Sequence, residues 1–246
     1  MNRFLSAALF LILACGSLHA QPVAPVEAPK RILVFYFYSQ VNFSVPGATD
    51  EPVEFSFRAG KDDRTLTLAP GNQTEPITYD GSSTLSLYLI VTKPEGIERV
   101  PVGSVTIPAE WKSVLILTLR QPVRNGGSPY LFIPLRYDAK SQEAGSLRFL
   151  NLSPYEIALR TSASQQVVAI RAEARMPLGG NADGFPFSLA IRENEEWHML
   201  VSALRQMPES KKILMVAVPA AGAASGPPNL LTFSQFPTPP EPIPEP

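Results

Sequence analysis

The chain has 246 residues, 45% of them hydrophobic, and a formal net charge of −1. This balance gives no electrostatic reason to bind nucleic acid or an anionic membrane surface, so neither partner is predicted. One cysteine and two histidines exclude a disulfide framework and the common zinc ligand sets, and the sequence predicts no cofactor and no metal.

Residues 1–20 have the pattern of a secretory signal peptide. Arg3 gives a positive amino-terminal region, residues 4–14 are almost wholly apolar, and Ala20 ends a small-residue cleavage site. The apolar stretch is shorter than the roughly 20 residues of a transmembrane helix, and no later segment predicts a transmembrane span. A lipobox ending at Cys15 is a competing interpretation. Free export is favoured over this lipid anchor because Leu-His-Ala is an ordinary cleavage site.

Export changes what the mature chain contains. Cleavage after Ala20 removes Cys15 and leaves a single histidine, His198. Loss of Arg3 reduces the 21 basic residues to 20 against 22 acidic ones, a net charge of −2. Two domains of about 100 residues are large enough to be stable without disulfides. The predicted location is therefore extracytoplasmic: periplasmic, cell-surface or secreted.

The first predicted domain spans residues 31–138, after an extended, proline-containing linker at residues 21–30. It opens with residues 32–38, a run of β-branched and aromatic residues that is typical of a buried strand. A turn is predicted at residues 60–63, and residues 65–68 alternate apolar and polar side chains like a half-buried strand. The remaining strands are predicted at 53–58, 83–91, 100–107, 113–120 and 130–137.

The second half of the chain repeats the first at a constant offset of 99 residues. Residues 102–134 align with residues 201–233 without a gap, and a strand at 146–152 takes the role of residues 32–38. Further strands are predicted at 156–160, 166–172, 187–191, 213–216 and 229–233, with one helical turn in each repeat, at 108–112 and 207–212. A duplicated unit of short strands predicts two tandem β-sandwiches.

The second predicted domain spans residues 146–235. A short polar connector, residues 138–145, precedes it. Residues 236–246 are dense in proline and predict an extended, disordered tail in solvent. The fold class predicted for the whole chain is all-β, with two antiparallel β-sandwich domains in tandem.

Two segments resemble a known group of proteins. Residues 146–154 read Ser-Leu-Arg-Phe-Leu-Asn-Leu-Ser-Pro, and residues 107–112 read Ile-Pro-Ala-Glu-Trp-Lys before an apolar strand. This combination looks like uncharacterised bacterial exported proteins with paired Ig-like β-sandwich domains, and the resemblance covers about half of the chain. It implies an Ig-like fold and export, and it assigns no functional residue.

The nucleophilic chemistry of hydrolases finds little support. A serine nucleophile needs a neighbouring base, and the mature chain offers only His198, which is interpreted as an edge residue of a hairpin strand. A Ser–Lys dyad of Ser210 with Lys211 or Lys212 is disfavoured because lysines beside a turn are usually solvated. Gly126-Gly127 lacks the strand-to-helix setting of a phosphate-binding loop.

Acidic residues occur in two groups that are candidates for a carboxylate-dependent hydrolase or a calcium site. The groups are Asp62 and Asp63 in the first domain, and Asp183, Glu193, Glu195 and Glu196 in the second. Both groups fall in predicted turns, where acidic residues are expected for solubility and turn geometry. Residues 181–184 predict a hairpin turn, and a calcium site assembled from separate loops stays open as an alternative.

Tyr36 and Tyr38 are the candidate ligand-binding residues. They share one face of the first predicted strand while Phe35 and Phe37 lie on the other, so one apolar face is either exposed or covered by the neighbouring domain. Packing in a core or between the domains is the default expectation. The same strand must be paired within its sheet or be completed by a partner through strand addition.

The sequence therefore predicts a non-enzymatic extracytoplasmic module that binds a partner or serves a structural role. It would act through sheet edges or an apolar sheet face, with a protein or a cell-surface glycan as partner. The alternatives are a carbohydrate-binding module with an exposed coplanar row of aromatic rings, and a hydrolase with two convergent carboxylates in a cleft.

Overall fold

A computed structural model describes residues 33–39, 52–59, 62–120, 128–181, 184–220, 226–234 and 236. The predicted signal peptide with Cys15, the linker at 21–30, Gly126-Gly127, Asp183 and residues 237–246 of the predicted tail lie outside the described residues. Every regular element in the described part of the chain is a β-strand. No helix that could cross a bilayer occurs within those residues.

The first eight strands form two four-stranded sheets. They are β1 (Leu33–Ser39), β2 (Val53–Ala59), β3 (Asp62–Leu68), β4 (Ile77–Tyr79), β5 (Thr84–Lys93), β6 (Gly96–Thr106), β7 (Ser113–Arg120) and β8 (Tyr130–Arg136). Sheet A has the order β4-β1-β7-β8, and sheet B has the order β3-β2-β5-β6. These two sheets make the first sandwich.

The last eight strands form two more sheets in the same way. They are β9 (Ser146–Asn151), β10 (Glu156–Thr161), β11 (Gln165–Val168), β12 (Glu173–Pro177), β13 (Phe185–Glu193), β14 (Glu196–Arg205), β15 (Lys212–Val218) and β16 (Asn229–Phe233). Sheet C has the order β12-β9-β15-β16, and sheet D has the order β11-β10-β13-β14. These two sheets make the second sandwich, and each strand has its counterpart eight strands earlier.

This repetition of topology confirms the prediction of an all-β chain with two tandem β-sandwiches. The prediction of purely antiparallel sheets is wrong at one pair in each sandwich. β1 runs parallel to β7, and β9 runs parallel to β15. Parallel neighbours need a long crossover connection, which the intervening strands of each sandwich provide.

The strands β7 and β15 are buried on both faces because their alternate side chains enter two different cores. Val114 and Ile116 belong to the core of the first sandwich, whereas Leu115 and Leu117 belong to a central core between the two sandwiches. The buried members of this central core are Leu115, Leu117, Leu119, Leu135, Tyr137, Leu214, Val216, Val218, Leu231 and Phe233. The sheets therefore stack in the order B-A-C-D, and the two inner sheets are apolar on both sides.

The gap-free alignment of the two repeats is wrong in the last strand. Ile116 pairs with Pro134, whereas Met215, which lies 99 residues further on, pairs with Thr232. The structural counterpart of Pro134 is therefore Thr232 and not Phe233. A shift of one residue exchanges the two faces of a strand, so the sequence alignment assigns these side chains to opposite sides.

Two other local predictions differ from the structure. The acidic pair Asp62 and Asp63 does not lie in a turn, because both residues pair with β2 as the start of β3. The sequence also does not predict the edge strands β4 and β12, which occupy corresponding places in sheets A and C.

The predicted helical turns at 108–112 and 207–212 are single β-turns. The backbone N–H of Trp111 donates to the carbonyl of Pro108 at 3.2 Å, and that of Lys211 donates to Pro208 at 2.8 Å. Each turn carries the chain from the outer sheet to the inner sheet of its sandwich.

The connector between the sandwiches is polar, as predicted, and it is partly buried. Asp138 accepts hydrogen bonds from Arg136 Nε at 2.8 Å and from the backbone N–H of Lys140 at 2.9 Å. The buried Arg148 donates across the junction to the carbonyl of Arg136 at 2.9 Å, and within its own sheet to the carboxylate of Glu173 at 2.7 Å. The bond to Arg136 joins the two sandwiches directly, and Glu173 orients the guanidinium that makes it.

Candidate functional site

The predicted ligand-binding tyrosines lie on β1, between β4 and β7. The register places Tyr36 beside Leu115 and Tyr38 beside Leu117. The half-buried Tyr38 ring packs edge-on against Phe233 of the second sandwich, with 5.1 Å between ring centroids, and burial raises the pKa of its hydroxyl. Tyr38 therefore sits at the edge of the central core. The side chain of Tyr36 lies outside the described part, and the ligand-binding role of the pair stays a prediction.

The neighbours of β1 show whether a partner strand could pair with it. β1 has hydrogen-bonded neighbours on both sides, β4 and β7, so it is not an open edge. Of the two alternatives predicted for this strand, pairing within its sheet is confirmed and completion by a partner is excluded. An edge that can accept a strand must be sought elsewhere in the molecule.

The candidate catalytic groups do not converge in the described residues. Ser210 Oγ donates to the carbonyl of Ser234 at 2.7 Å, while the ammonium group of Lys212 donates to the carbonyl of Ala139. His198 is exposed on β14, an edge strand of sheet D. Within the same residues, no group of three or more His, Cys, Asp or Glu side chains could hold a metal ion.

Asp63 belongs to a closed polar cluster on the outer face of sheet B. Tyr88 Oη and the guanidinium of Arg99 both donate to its carboxylate, and the Arg99 guanidinium carbon lies 5.9 Å from the centre of the Tyr88 ring. The hydrogen bond from Arg99, followed by that from Tyr88, holds the pKa of Asp63 below its ordinary value. The hydrogen bonds among these three side chains account for the cluster as an ordinary polar surface feature.

A cleft of about 900 Å³ lies at one edge of the second sandwich. Its floor lies over Phe185, Ile213 and Met215, which belong to the core of that sandwich and are almost fully buried. Thr232 of β16, with Ser234 and Phe236 of its continuation, forms one wall. The segment that joins β14 to β15 forms the other. The full lining is Gln73, Phe185, Arg205, Gln206, Met207, Pro208, Glu209, Ser210, Ile213, Met215, Thr232, Ser234 and Phe236.

The corresponding edge of the first sandwich is closed. There β6 packs against β8, whereas β14 and β16 make no comparable contact. The closure depends on Gly103, since a Cβ at this position would lie only 2.7 Å from the Phe132 ring. Gly103 pairs with Leu87, and a β-bulge follows Leu87. In the second sandwich Val201 pairs with Leu189, and a β-bulge follows Leu189 in the same way. Val201 is therefore the counterpart of Gly103. Val201 is larger than a glycine and packs against the core of the second sandwich.

The backbone of β16 is unpaired along the cleft. The carbonyls of Lys211 and Ala217 accept bonds from the β9 side, so Leu214, Val216 and Val218 are the residues of β15 that bond to β16. Their partners are the odd-numbered residues of β16. The N–H and C=O groups of Leu230 and Thr232 therefore point away from β15, and no hydrogen bond from the described residues reaches them.

The same edge is blocked in the first sandwich by a proline. The backbone N–H of Tyr137 donates to the carbonyl of Ser113 at 3.0 Å, so residues 137 and 135 bond to β7 and Pro134 faces outward. An outward-facing proline has no N–H to offer to another strand. Thr232, its counterpart, does offer an N–H.

Two charges of opposite sign stand at the mouth of the cleft. Arg205 and Glu209 are both exposed, and neither forms an ion pair within the described part of the chain. The cleft thus combines an apolar floor, an unpaired strand edge and one charge of each sign. The sequence carries no signal for this site, because the site arises from differences between structurally equivalent residues of the two repeats.

Comparison with known proteins gives no family and one distant structural alignment. No family model matches the chain, and no curated protein matches it. A solved structure of the two tandem C2 domains of extended synaptotagmin 2 aligns with 94% of this chain and 97% of its own, at 10% sequence identity and a TM-score of 0.23. A TM-score this low supports no inference about a ligand or an activity.

Proposed function

We propose that the protein is a bacterial extracytoplasmic, non-enzymatic binding module and that the cleft beside β16 is its binding site. The observation that carries this proposal is the asymmetry of the two sandwiches. They share one topology, yet in the described residues β6 packs on β8 in the first sandwich, whereas a cleft of about 900 Å³ lies at the corresponding edge of the second. Ligand sites are commonly apolar clefts of roughly 300–1,000 Å³ with a few polar groups at the mouth.

Export, an Ig-like family relation and the domain limits 31–138 and 146–235 belong to the same proposal. Their support is the signal-peptide pattern of residues 1–20, the resemblance of residues 146–154 and the internal repeat. In this arrangement the first sandwich serves as a rigid support, because the central core and the bond from Arg148 to Arg136 hold it against the second.

A binding role fits the cleft better than hydrolysis does. Two carboxyl groups at a defined separation are needed to hydrolyse a glycosidic bond, and the described lining of the cleft contains one, Glu209. A carbohydrate site built on stacked rings fits less well too. Trp197, on β14, is the only exposed aromatic side chain among the described residues, so they present no coplanar row.

Site-specific crosslinking tests the binding site. Residues 21–246 contain no cysteine, so single cysteines introduced at Thr232 and at its counterpart Pro134 can each carry a benzophenone label. The labelled proteins are irradiated with the envelope fraction of the source bacterium, and the adducts are analysed by mass spectrometry. We expect an adduct at Thr232→Cys that excess unlabelled protein competes away, and none at Pro134→Cys. Equal yields at both positions would exclude the cleft as the binding site.

A further inference from the structure

We infer that the ligand of the cleft is an extended polypeptide segment that adds to sheet C as a fifth strand beside β16. This inference rests on the proposed function, because it names the class of ligand that the same site takes. Strand addition of this kind derives its affinity from main-chain hydrogen bonds and its specificity from the pockets that receive alternate side chains.

The backbone of β16 is free on the side away from β15. Leu230 and Thr232 together present two N–H and two C=O groups on that side, spaced as in any strand edge, and Thr232 lines the cleft. Further along the chain, the carbonyl of Ser234 is bonded by Ser210 Oγ at 2.7 Å, which ends the free edge at that point. A sugar or lipid does not match this regular alternation of donors and acceptors, whereas a polypeptide strand does.

The outer edge of β8, the counterpart of β16 in the first sandwich, is protected. Natural sheets protect an edge with a proline or by covering it, and the first sandwich has both devices, Pro134 and the packing of β6 on Phe132. The second sandwich has neither, because Thr232 replaces the proline and Val201 replaces Gly103. The chain thus protects one of two equivalent edges and leaves the other available.

The cleft can also receive the side chains of an added strand. Alternate side chains of the ligand would point into the cleft, beneath which lie the buried core residues Phe185, Ile213 and Met215. The unpaired Arg205 and Glu209 at the mouth complement an acidic and a basic residue of the ligand.

The site is also continuous with the interface between the sandwiches. Phe236 lines the cleft and packs on Tyr137 of the central core, with 5.1 Å between ring centroids. A fifth strand of sheet C would therefore extend a face that is already built for sheet-on-sheet packing.

The test replaces Thr232 by proline, the residue that occupies the equivalent position of β8 as Pro134. Random linear decapeptides displayed on phage are selected on the wild-type protein, and the enriched peptides are measured on Thr232→Pro and on the control Thr232→Val, which keeps the N–H. Thr232→Pro should fold, since Thr232 is exposed and Pro134 occupies this place in β8. Thermal unfolding of both variants checks this point.

We expect the enriched peptides to alternate apolar and polar residues and to lose affinity about tenfold to a hundredfold on Thr232→Pro, because a buried carbonyl of the peptide loses its donor. Thr232→Val keeps the backbone N–H and should therefore lose much less affinity than Thr232→Pro. Hydrogen exchange should show that the amide of Leu230 becomes protected when the peptide binds.

Equal affinity for Thr232→Pro and the wild type would refute strand addition, as would unchanged exchange at Leu230. If no peptide is enriched but the Thr232→Cys adduct forms, strand addition is wrong and the binding role stands. Absence of the adduct refutes the binding role itself.

Discussion

Replacement of Leu214 by alanine tests whether the central core makes the two sandwiches one cooperative structure. Leu214 is fully buried on β15 and points into the core that both sandwiches share. The substitution removes three carbon atoms, worth about 2.4 kcal/mol at about 0.8 kcal/mol per buried CH₂. The residual cavity raises the expected loss in the free energy of unfolding to about 2.5–5 kcal/mol.

The chain provides one reporter in each sandwich for the measurement. Trp111 lies in the first sandwich and Trp197 in the second, and the chain has two tryptophans. Urea unfolding is followed by fluorescence in Trp111→Phe and Trp197→Phe backgrounds, each with and without Leu214→Ala. We expect the transitions at the two reporters to coincide and to shift together, because a shared core couples them.

A shift in the unfolding midpoint at one tryptophan alone would refute the coupling of the two sandwiches. If Leu214→Ala lowers the midpoint at Trp197 and leaves that at Trp111 unchanged, the central core does not couple the sandwiches. Leu189→Ala is the matched control, since Leu189 is also fully buried but belongs to the core of the second sandwich alone. It calibrates the loss that an interior leucine of one sandwich produces.

Two further predictions concern the junction and the closed edge. Burial by itself would raise the pKa of Glu173, but the hydrogen bonds and charges of Arg148 and Arg175 outweigh it and lower this pKa. The ionised carboxylate therefore stabilises the fold above the ordinary carboxyl pKa, and this stabilisation is lost as pH falls through the lowered value. In acid-unfolding curves, Glu173→Gln should lose less stability below that ordinary value than the wild type does. Separately, Gly103→Val should cost about 1–3 kcal/mol in urea unfolding, because the new side chain collides with the Phe132 ring. An unchanged stability would show that β6 yields without cost.

The strands could be predicted where their patterns are strong. β7 and β16 begin and end at the predicted residues, because each is an apolar run that lies next to a turn. β4 and β12 escape prediction because β4 has only three residues and β12 mixes Glu173, Arg175 and Pro177 with apolar residues. The parallel pairing of β1 with β7 leaves no local trace, because it joins segments far apart in sequence.

The candidate site could not be predicted for a different reason. The cleft depends on which residues of the two repeats are equivalent, and the gap-free alignment sets Pro134 against Phe233. Only the hydrogen-bonded register identifies Thr232 as the counterpart of Pro134. The expectation of buried packing for Tyr38, in contrast, follows from a strand that is apolar on both faces, because such a strand must be covered twice.

The parallel pairing of β1 with β7 has a consequence for the order in which the protein can fold. The amino-terminal strand is synthesised first, but its longest neighbour, β7, emerges only after the strands between them. Contacts between distant segments slow folding, and an apolar strand is prone to aggregate until its partner strand is available. Since β9 and β15 repeat the arrangement, the chain passes twice through this vulnerable interval. Pairing of β1 with β4, which precedes β7 in the chain, covers one edge of the early strand during this interval.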